Sequence, residues 1–293
     1  MSIVKSLSGG DGDMFYIKHN SDSFTMIDCC MDETTGGRIV KELKTESAET
    51  GIVRFISTHP DDDHIGGITY LHEKMPIVNF YCVKNEATKE DQSDDFDQYC
   101  ALRDDPKKAF YLQRGCTRKW LNESDQERDG AGMSILWPVT DNKKYQEALN
   151  AAADGESPNN ISAIIQYTLN GGATVLWMGD LETGFMESVE LIPVGRAEIL
   201  FAPHHGRQTG KVPEEWLNVI RPKLVVIGEA PSKDLDYYKG YNTITQNSAG
   251  DITFDCVSGK VRIYVSLDGY WVDFLENEGL EDSYGTYVGT LNI

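Results

Sequence analysis

The sequence predicts an α+β fold in which two mixed β-sheets pack face to face and helices cover the outer faces, giving a four-layer αββα sandwich. Two observations predict it. Short β-branched and aromatic runs outnumber segments with helical spacing, and helical segments stand between strands in both halves of the chain. Layered sheets covered by helices are one of the few ways to bury such a mixture of elements.

The first half of the chain predicts a hairpin followed by alternating helices and strands. The turn-rich sequence HNSD at residues 19–22 joins the first two runs, as expected of a hairpin. The predicted strands are residues 14–18, 23–28, 52–57 and 76–83, and the predicted helices are residues 37–43 and 65–74.

The second half repeats the mixture. A double glycine at residues 171–172 separates two alternating runs and is a strong hairpin signal. The predicted strands are residues 133–137, 162–169, 173–178, 197–201, 224–227, 252–255, 261–265 and 270–274. The predicted helices are residues 144–152, 183–191 and 213–220.

We interpret residues 1–293 as a single domain, since 293 residues can bury one large layered core. The pattern loosens between residues 84 and 158, where acidic side chains crowd the first part. We expect this region to be an insertion that covers one side of the domain. Residues 276–293 are expected to form an acidic tail.

The charge balance limits the partners that the chain can bind. Its 27 basic and 47 acidic side chains give a net charge of −20. Such a field repels polyanions, so a nucleic acid needs a local basic or metal-lined patch. A solvated acidic surface that aids solubility is the plain alternative.

The sequence predicts a soluble, cytoplasmic protein with no membrane partner. The first residues contain no apolar segment of signal-peptide length. No later apolar run approaches the roughly 20 residues needed to span a bilayer. The six cysteines form no C-x-x-C pair, and we expect them to be reduced and mostly buried.

The densest group of reactive side chains lies between a predicted strand and a predicted helix. Residues 57–67 have the sequence STHPDDDHIGG, which contains His59, Asp61, Asp62, Asp63 and His64. Carboxylates this close repel one another, so a cation is needed to hold them together. Imidazole and carboxylate suit zinc, manganese or iron. An acidic turn with incidental histidines is the alternative without a metal.

This segment resembles the metal loop of the metallo-β-lactamase superfamily, in the H-x-D-x-D-H-x-G-G form of its ComEC-like branch. Other segments resemble the family's further motifs, and they stand in the family's order along the chain. The resemblance covers roughly residues 3 to 270, without the predicted insertion. They are GGDGD at 9–13, ID at 27–28, NNIS at 159–162, GDLE at 179–182 and PHHG at 203–206. The resemblance implies a metallo-β-lactamase-like αββα sandwich.

The resemblance also implies a set of ligands for two divalent ions, zinc or alternatively manganese. His59 and Asp61 would bind one ion. Asp63, His64 and one of the late histidines would bind the other, with His205 favoured as the ligand and His204 facing the substrate. Asp180 would bridge the two ions, although an N-cap for the following helix is the alternative explanation of this carboxylate.

One departure from the family concerns the first ion. Many members place a histidine about twenty residues before the bridging aspartate, and here that position is Asn160. The first site is therefore expected to bind its metal more weakly, to prefer a harder ion such as manganese, or to fill only with substrate. Asn160 either contributes an amide oxygen to the site or shapes a turn.

The predicted chemistry is hydrolysis by a metal-activated water, with Asp61 or Asp63 orienting the water. Arg207 and Lys211 are cations near the late histidines that would hold a phosphate, unless they are only surface charges. The leading hypothesis is therefore a phosphoester hydrolase of the phosphodiesterase or nuclease type. Its expected partner is a phosphate-containing small molecule or a single-stranded nucleic acid.

Two further functions stay open at this point. An acyl or lactone hydrolase would use the same metals, because a fold does not decide the chemistry. The other is a metal-binding sensor or interaction protein that has lost catalysis through the missing histidine. Its acidic surface and long insertion would suit a protein partner or homo-oligomer.

Overall fold

The computed structural model describes residues 1–190, 192–230, 233 and 235–293. The strands are β1 Ser2–Ser6, β2 Phe15–Lys18, β3 Ser23–Ile27, β4 Cys29–Cys30, β5 Ile52–Ile56, β6 Phe80–Val83, β7 Ala109–Leu112, β8 Met133–Trp137, β9 Ile164–Thr168, β10 Thr174–Trp177, β11 Ile199–Phe201, β12 Leu224–Ile227, β13 Thr243–Thr245, β14 Ile252–Val257, β15 Lys260–Val265 and β16 Thr286–Asn292. The helices are α1 Gly36–Ser47, α2 Asp62–Ile65, α3 Ile68–Lys74, α4 Asp94–Asp104, α5 Lys143–Ala153, α6 Thr183–Ser188, α7 Glu214–Ile220 and α8 Gln246–Ala249.

The strands form two mixed sheets. The larger has the order β16-β15-β14-β1-β2-β3-β5-β6-β7, and the smaller has the order β13-β12-β11-β10-β9-β8. In the larger sheet the strands from β3 to β7 are parallel, and in the smaller sheet those from β10 to β13 are parallel. The other pairings are antiparallel.

The two sheets pack face to face because their strands alternate apolar side chains toward a shared core. Phe15 of the larger sheet lies 4.7 Å from Phe201 and 6.1 Å from Trp177 of the smaller sheet, measured between ring centroids. The neighbouring residue Tyr16 points to the opposite face, into the second core.

That second core lies between the larger sheet and helices α1, α3 and α4. Phe24 and Phe55 of the sheet pack there with Leu43, Leu71 and other buried residues of these helices. Helices α5, α6 and α7 cover the smaller sheet on the other side, through residues that include Tyr145, Met186 and Trp216. The four layers confirm the predicted αββα sandwich of two mixed sheets.

Several predicted elements differ from the structure. Residues 270–274 form no strand, and the last strand of the larger sheet comes instead from Thr286–Asn292, within the region predicted as an acidic tail. The predicted helix 65–74 is divided, because Gly67 has a φ of +86° and separates α2 from α3. Helix α6 ends at Ser188, and Leu191, where its end was predicted, lies outside the described residues.

The region predicted as an insertion, residues 84–158, contributes one strand to each sheet. Strand β7 pairs with β6 at one edge of the larger sheet, and β8 pairs with β9 at one edge of the smaller sheet. The segment therefore completes both sheets in addition to covering them. Among the described helices, none has the length and apolar character needed to cross a bilayer.

Candidate metal centre

The carboxyl ends of the parallel strands bring the predicted site residues together. In the larger sheet, β3 leads into Asp28 and β5 leads into the loop that carries His59 and Asp63. In the smaller sheet, β10 leads into Asp180 and β11 leads into His204 and His205. Because the two sheets face each other, these four loops meet at one edge of the sandwich, where open sheets commonly bind ligands.

The backbone of this edge is strained. Among the described residues that are not glycine, positive φ angles occur at Asp28, Trp120, His204, His205 and Arg221. The three at this edge have φ angles of 56°, 54° and 55°. Such conformations cost of order 1–3 kcal/mol each, and they concentrate at functional sites because the surrounding structure holds them in place. The strain here aims the side chains of Asp28 and the two histidines.

Gly12 allows the N-terminal segment to reach the metal loop. The backbone N–H of Asp13 donates to the carbonyl oxygen of Asp63 at 3.0 Å. A Cβ on Gly12 would overlap that same carbonyl oxygen. A larger residue would therefore push Asp13 away from the centre.

The ligand atoms form two overlapping groups within the described part of the chain. The His205 group consists of Asp13, His64, Asp180 and His205, and the His59 group consists of His59, Asp63, His64 and Asp180. In each group, one nitrogen or carboxylate oxygen from every residue lies within 4.8 Å of the others. The ring centroids of His59 and His64 are 4.2 Å apart, and those of His64 and His205 are 5.1 Å apart.

Several of these atoms are buried without a hydrogen-bond partner in the described structure. They include Nε2 of His59, Nε2 of His64 and Oδ1 of Asp180. The last two lie 2.9 Å apart but lack the alignment of a hydrogen bond. Leaving buried polar atoms unpaired costs about 1–3 kcal/mol each, so a missing partner is the natural explanation. A divalent cation between them would satisfy all three.

The histidines are oriented from behind by partners outside the two groups. Nδ1 of His64 lies 2.9 Å from Oδ2 of Asp28. Nδ1 of His59 lies 3.0 Å from Oγ1 of Thr58, whose hydroxyl donates to Asp28 at 2.7 Å. The Thr58 oxygen must therefore accept from His59, which leaves the Nε2 lone pair free. Metal-binding histidines commonly have such partners, which fix the ring and its tautomer.

The charges of the centre are strongly coupled. Burial lowers the pKa of His64, but the carboxylates of Asp180 and Asp28 outweigh it and raise that pKa well above its usual value. Burial likewise opposes the effect of Asp13 and Asp180 on His205, whose pKa rises to about 10. Burial raises the pKa of Asp180, but His64 and His205 outweigh it and lower that pKa. Without a metal, protons on the imidazoles therefore neutralise the carboxylates.

These residues fit a divalent cation. Imidazole nitrogens and carboxylate oxygens together suit zinc, manganese and iron. A metal would replace the imidazole protons as the compensating positive charge, since histidine binds metals in its neutral form. The unpaired Nε2 of His59 gives the same indication independently, because burial lowers its pKa to about 4 and leaves it neutral.

His204 lies at the rim and outside both groups. Its Nε2 is 3.7 Å from Oδ2 of Asp180 and 3.5 Å from Nη1 of Arg207. Its Nδ1 lies 2.9 Å from the hydroxyl oxygen of Thr209. The guanidinium of Arg207 thus reaches the edge of the centre, whereas Lys211 is exposed further out along the same loop.

Two residues predicted for the site are engaged elsewhere. Asp61 lies outside both groups, because its Oδ1 accepts from Nζ of Lys89 at 2.9 Å and from the backbone N–H of Asp62 at 3.0 Å. The amide of Asn160 donates to Glu182 at 2.9 Å and accepts from the backbone N–H of Glu182 at 3.1 Å. Asn160 therefore braces the loop that carries Asp180.

Sequence reasoning did not single out Asp13, which the structure places in the His205 group. Its Oδ1 lies 3.1 Å from Nδ1 of His205, although 192 residues separate the two in the chain. The GGDGD segment at residues 9–13 is named from the sequence only as a family-like motif, with no ligand assigned within it. The sequence does contain one indication of this role: Asp13 ends a glycine-rich turn. Glycines in such a turn let the backbone approach another loop closely.

Structural neighbours of the chain include metallo-β-lactamases. A metallo-β-lactamase with a HARLDQ motif from Cronobacter sakazakii matches over 60% of this chain and 59% of its own, with 16% identity and a TM-score of 0.35. A mutant of CmlA beta-hydroxylase matches over 86% of this chain and 53% of its own, with 11% identity and a TM-score of 0.48. BJP-1, a subclass B3 metallo-β-lactamase of Bradyrhizobium japonicum, matches over 57% of this chain and 55% of its own, with 14% identity and a TM-score of 0.29.

The neighbours from Cronobacter sakazakii and Bradyrhizobium japonicum are metallo-β-lactamases, and each of the three matches spans little more than half of the neighbour's length. No family model matches the chain, and no curated protein matches it. The roles of the site residues therefore depend on the geometry described above.

Proposed function

We propose that the chain is a metal-dependent phosphoester hydrolase of the phosphodiesterase or nuclease type. The observation that supports it best is the pair of overlapping ligand groups, whose buried atoms at His59, His64 and Asp180 lack partners in the described structure. We propose that these groups hold two divalent ions, zinc or alternatively manganese. Bound divalent ions lower the pKa of a coordinated water and neutralise charge on a phosphoryl oxygen.

Asp63 is the carboxylate best placed to orient the attacking water. Its side chain is 25% exposed, whereas that of Asp180 is 1% exposed, so Asp63 reaches the open side of the centre. Burial alone would raise the pKa of Asp63, but its contact with His205 and the charge of His64 lower it below the usual range. Asp63 therefore stays ionised at neutral pH and can accept a hydrogen bond from water.

His204 is proposed to face the substrate. Burial lowers its pKa, so the imidazole is neutral at pH 7. The guanidinium of Arg207 donates toward Nε2, which assigns the proton to Nδ1 beside Thr209. A neutral imidazole at this rim can accept a proton or a hydrogen bond when Arg207 turns toward a substrate.

Arg207 favours a phosphoester over a neutral ester. Its Nε is buried and has no hydrogen-bond partner among the described residues. A guanidinium binds phosphate oxygens through two parallel hydrogen bonds, which no neutral carbonyl can accept as well. The net charge of −20 would repel a long polyanion, so a small phosphodiester or a short single strand fits the centre better.

The proposal is tested with protein loaded with zinc or manganese on three substrates: bis(4-nitrophenyl) phosphate, a lactone and a thioester. We expect the phosphodiester to be cleaved fastest. We expect Asp63→Ala and His64→Ala to lose activity at least about 100-fold and to hold less metal, because each removes a ligand atom. Asp91→Ala, which removes an exposed carboxylate outside the centre, is the matched control.

Each other outcome points to a different function. Faster turnover of the lactone or thioester would favour an acyl hydrolase. Tight binding of metal without cleavage of any ester would favour a sensor. Full activity in either ligand variant would remove that residue from the centre.

A further inference from the structure

A cavity opens beside the loop that carries His204 and Arg207. Its volume is about 360 Å³, within the range of small-molecule sites. It is lined by parts of α6 and α7, by the loop that precedes α7 and by the segment from 237 to 241. The lining residues used below are Thr183, Lys211, Tyr237, Lys239 and Tyr241.

The inner wall of this cavity is continuous with the metal centre. Thr183 follows Asp180 by three residues, so at most about 10 Å of extended chain separates them. The Thr183 hydroxyl lies 2.7 Å from the carbonyl oxygen of Lys211 and 3.0 Å from that of Thr209. Thr209 in turn contacts His204. The same two loops therefore carry the metal-centre residues and this wall.

The outer wall presents aromatic rings. Tyr237 and Tyr241 are partly exposed in the cavity, whereas Tyr238 between them is buried. The buried Tyr238 hydroxyl oxygen accepts from the backbone N–H of Val212 at 3.2 Å, which fixes this segment against the loop before α7. Tyr237 itself reaches back to Gln208, with its hydroxyl 3.4 Å from Oε1.

The two lysines at the rim of the cavity, Lys211 and Lys239, differ in whether an acidic side chain already pairs with them. Lys239 is paired with Asp236 at 2.7 Å, and both side chains are exposed. Lys211 is exposed, lines the cavity and follows Arg207 by four residues on the same loop. Arg207 thus contacts His204 at the metal centre, and Lys211 further along its loop lines the same cavity as the two tyrosines. Phosphate first and a planar ring second is the order of groups in a nucleotide.

We propose that this cavity binds the nucleobase of a nucleoside phosphodiester whose phosphate lies at the metal centre. The inference rests on the proposed function and narrows its substrate to phosphodiesters that carry a base. Tyr237 and Tyr241 would stack on the base, and Lys211 would contact the phosphate or sugar edge. Stacking is tolerant of base identity, so the site selects for the presence of a base rather than for a sequence.

The test compares the binding of adenosine 5′-monophosphate and ribose 5-phosphate to metal-loaded protein by equilibrium dialysis. Binding of a monophosphate needs no turnover, so the result does not depend on hydrolysis. We expect the nucleotide to bind about 5- to 150-fold more tightly, the effect of one stacked base. The double variant Tyr237→Ala, Tyr241→Ala should bring the two affinities within about twofold of each other.

Two control proteins make the comparison specific. The double variant Tyr237→Phe, Tyr241→Phe should keep the preference, because phenylalanine retains the stacking face. Tyr70→Ala removes a tyrosine that is 40% exposed in a different cavity and should also keep it. Equal or undetectable binding of the two ligands to the wild type would overturn the proposal. Persistence of the preference in the alanine double variant would overturn it as well.

The result is separable from the test of the proposed function. If the base preference appears but no phosphodiester is cleaved, the base site stands and the hydrolase proposal fails. If phosphodiesters are cleaved but no base preference appears, the hydrolase proposal stands and the base site fails.

Discussion

The two sides of the metal centre are built unequally. The His205 group has two imidazoles and two carboxylates that are all buried. The His59 group shares His64 and Asp180 with it and adds only His59 and the partly exposed Asp63. Because Nδ1 of His64 is engaged by Asp28, this residue has only one nitrogen to offer and can serve only one ion.

Assigning His64 to either side leaves the other side short of nitrogen. On the His205 side, His64 and His205 together give two nitrogen ligands. On the His59 side, His59 then remains as the single imidazole, with carboxylates that can bridge through their second oxygen. For the two ions proposed above, this difference predicts unequal affinity, with the tighter ion beside His205.

The largest expected effect comes from removing one imidazole from each side in turn. In the wild type, a zinc titration followed by calorimetry should resolve a tight and a weak step. His59→Ala should abolish the weak step and keep the tight one. His205→Ala should weaken the tight step by about 100-fold or more, because a ligand contributes at least as much as its outer partners do.

The opposite effect of these two variants on the titration steps would contradict the assignment of the tighter ion to the His205 side. If His59→Ala removed the tight step, the nitrogen count would not decide the order of affinity. His72→Ala provides the control, because His72 lies on α3 outside both groups and should leave both steps unchanged.

The fold was predictable from the sequence because its signals are local. Continuous apolar runs such as those of β2 and β6 indicate buried strands, and the turn residues indicate where strands end. The last strand was placed wrongly, at residues 270–274 in place of Thr286–Asn292. Both stretches are partly exposed, so the apolar pattern gives little to distinguish the true edge strand, Thr286–Asn292, from residues 270–274.

The candidate site was predictable only where its residues are close in sequence. His59, Asp63 and His64 stand in one loop, and their crowding alone indicates a cation. Asp13 joins them through a contact with His205 that spans 192 residues, and the glycine-rich turn before Asp13 does not specify that partner. Asp61 was assigned wrongly to the ligands for the same reason, since the Lys89 side chain that binds it lies 28 residues further along the chain.

Replacing Lys89 tests whether freeing Asp61 strengthens metal binding on the His59 side. Its Nζ lies 2.9 Å from Asp61 and 2.8 Å from Asp62, so it draws both carboxylates away from the centre. Lys89→Met would free Asp61 and remove a positive charge near the His59 side. We expect the weak step of the zinc titration to tighten by up to about fivefold, the scale of a partly exposed ion pair.

The tight step should not change in Lys89→Met. Lys143→Met, which removes an exposed lysine on α5, should leave both steps unchanged. A weaker second step in Lys89→Met would mean instead that Lys89 supports the shape of the metal loop.

The smallest effect on the metal centre is expected from His19, a buried histidine that has no carboxylate beside it. Its Nε2 lies 2.8 Å from the hydroxyl oxygen of Thr25. Burial, reinforced by the charge of Arg54, lowers the pKa of His19 to about 3, whereas that of His205 rises to about 10. In the metal-free folded protein, the imidazole of His19 is therefore neutral and that of His205 is charged.

The sign of the pH dependence follows from the direction of this shift. The unfolded chain binds a proton at His19 below about pH 6.5, while the folded chain resists it until about pH 3. The contribution of His19 to stability is thus complete above pH 6.5 and is lost as the pH falls toward 3.

His19→Gln keeps a hydrogen-bonding group without a titrating one. In urea unfolding of metal-free protein between pH 6 and 4, the wild type should lose stability relative to this variant by up to about 1.4 kcal/mol per pH unit. Parallel stability curves for the two proteins would show that His19 gains its proton without opening the fold, and metal binding at pH 7.5 should be the same in both.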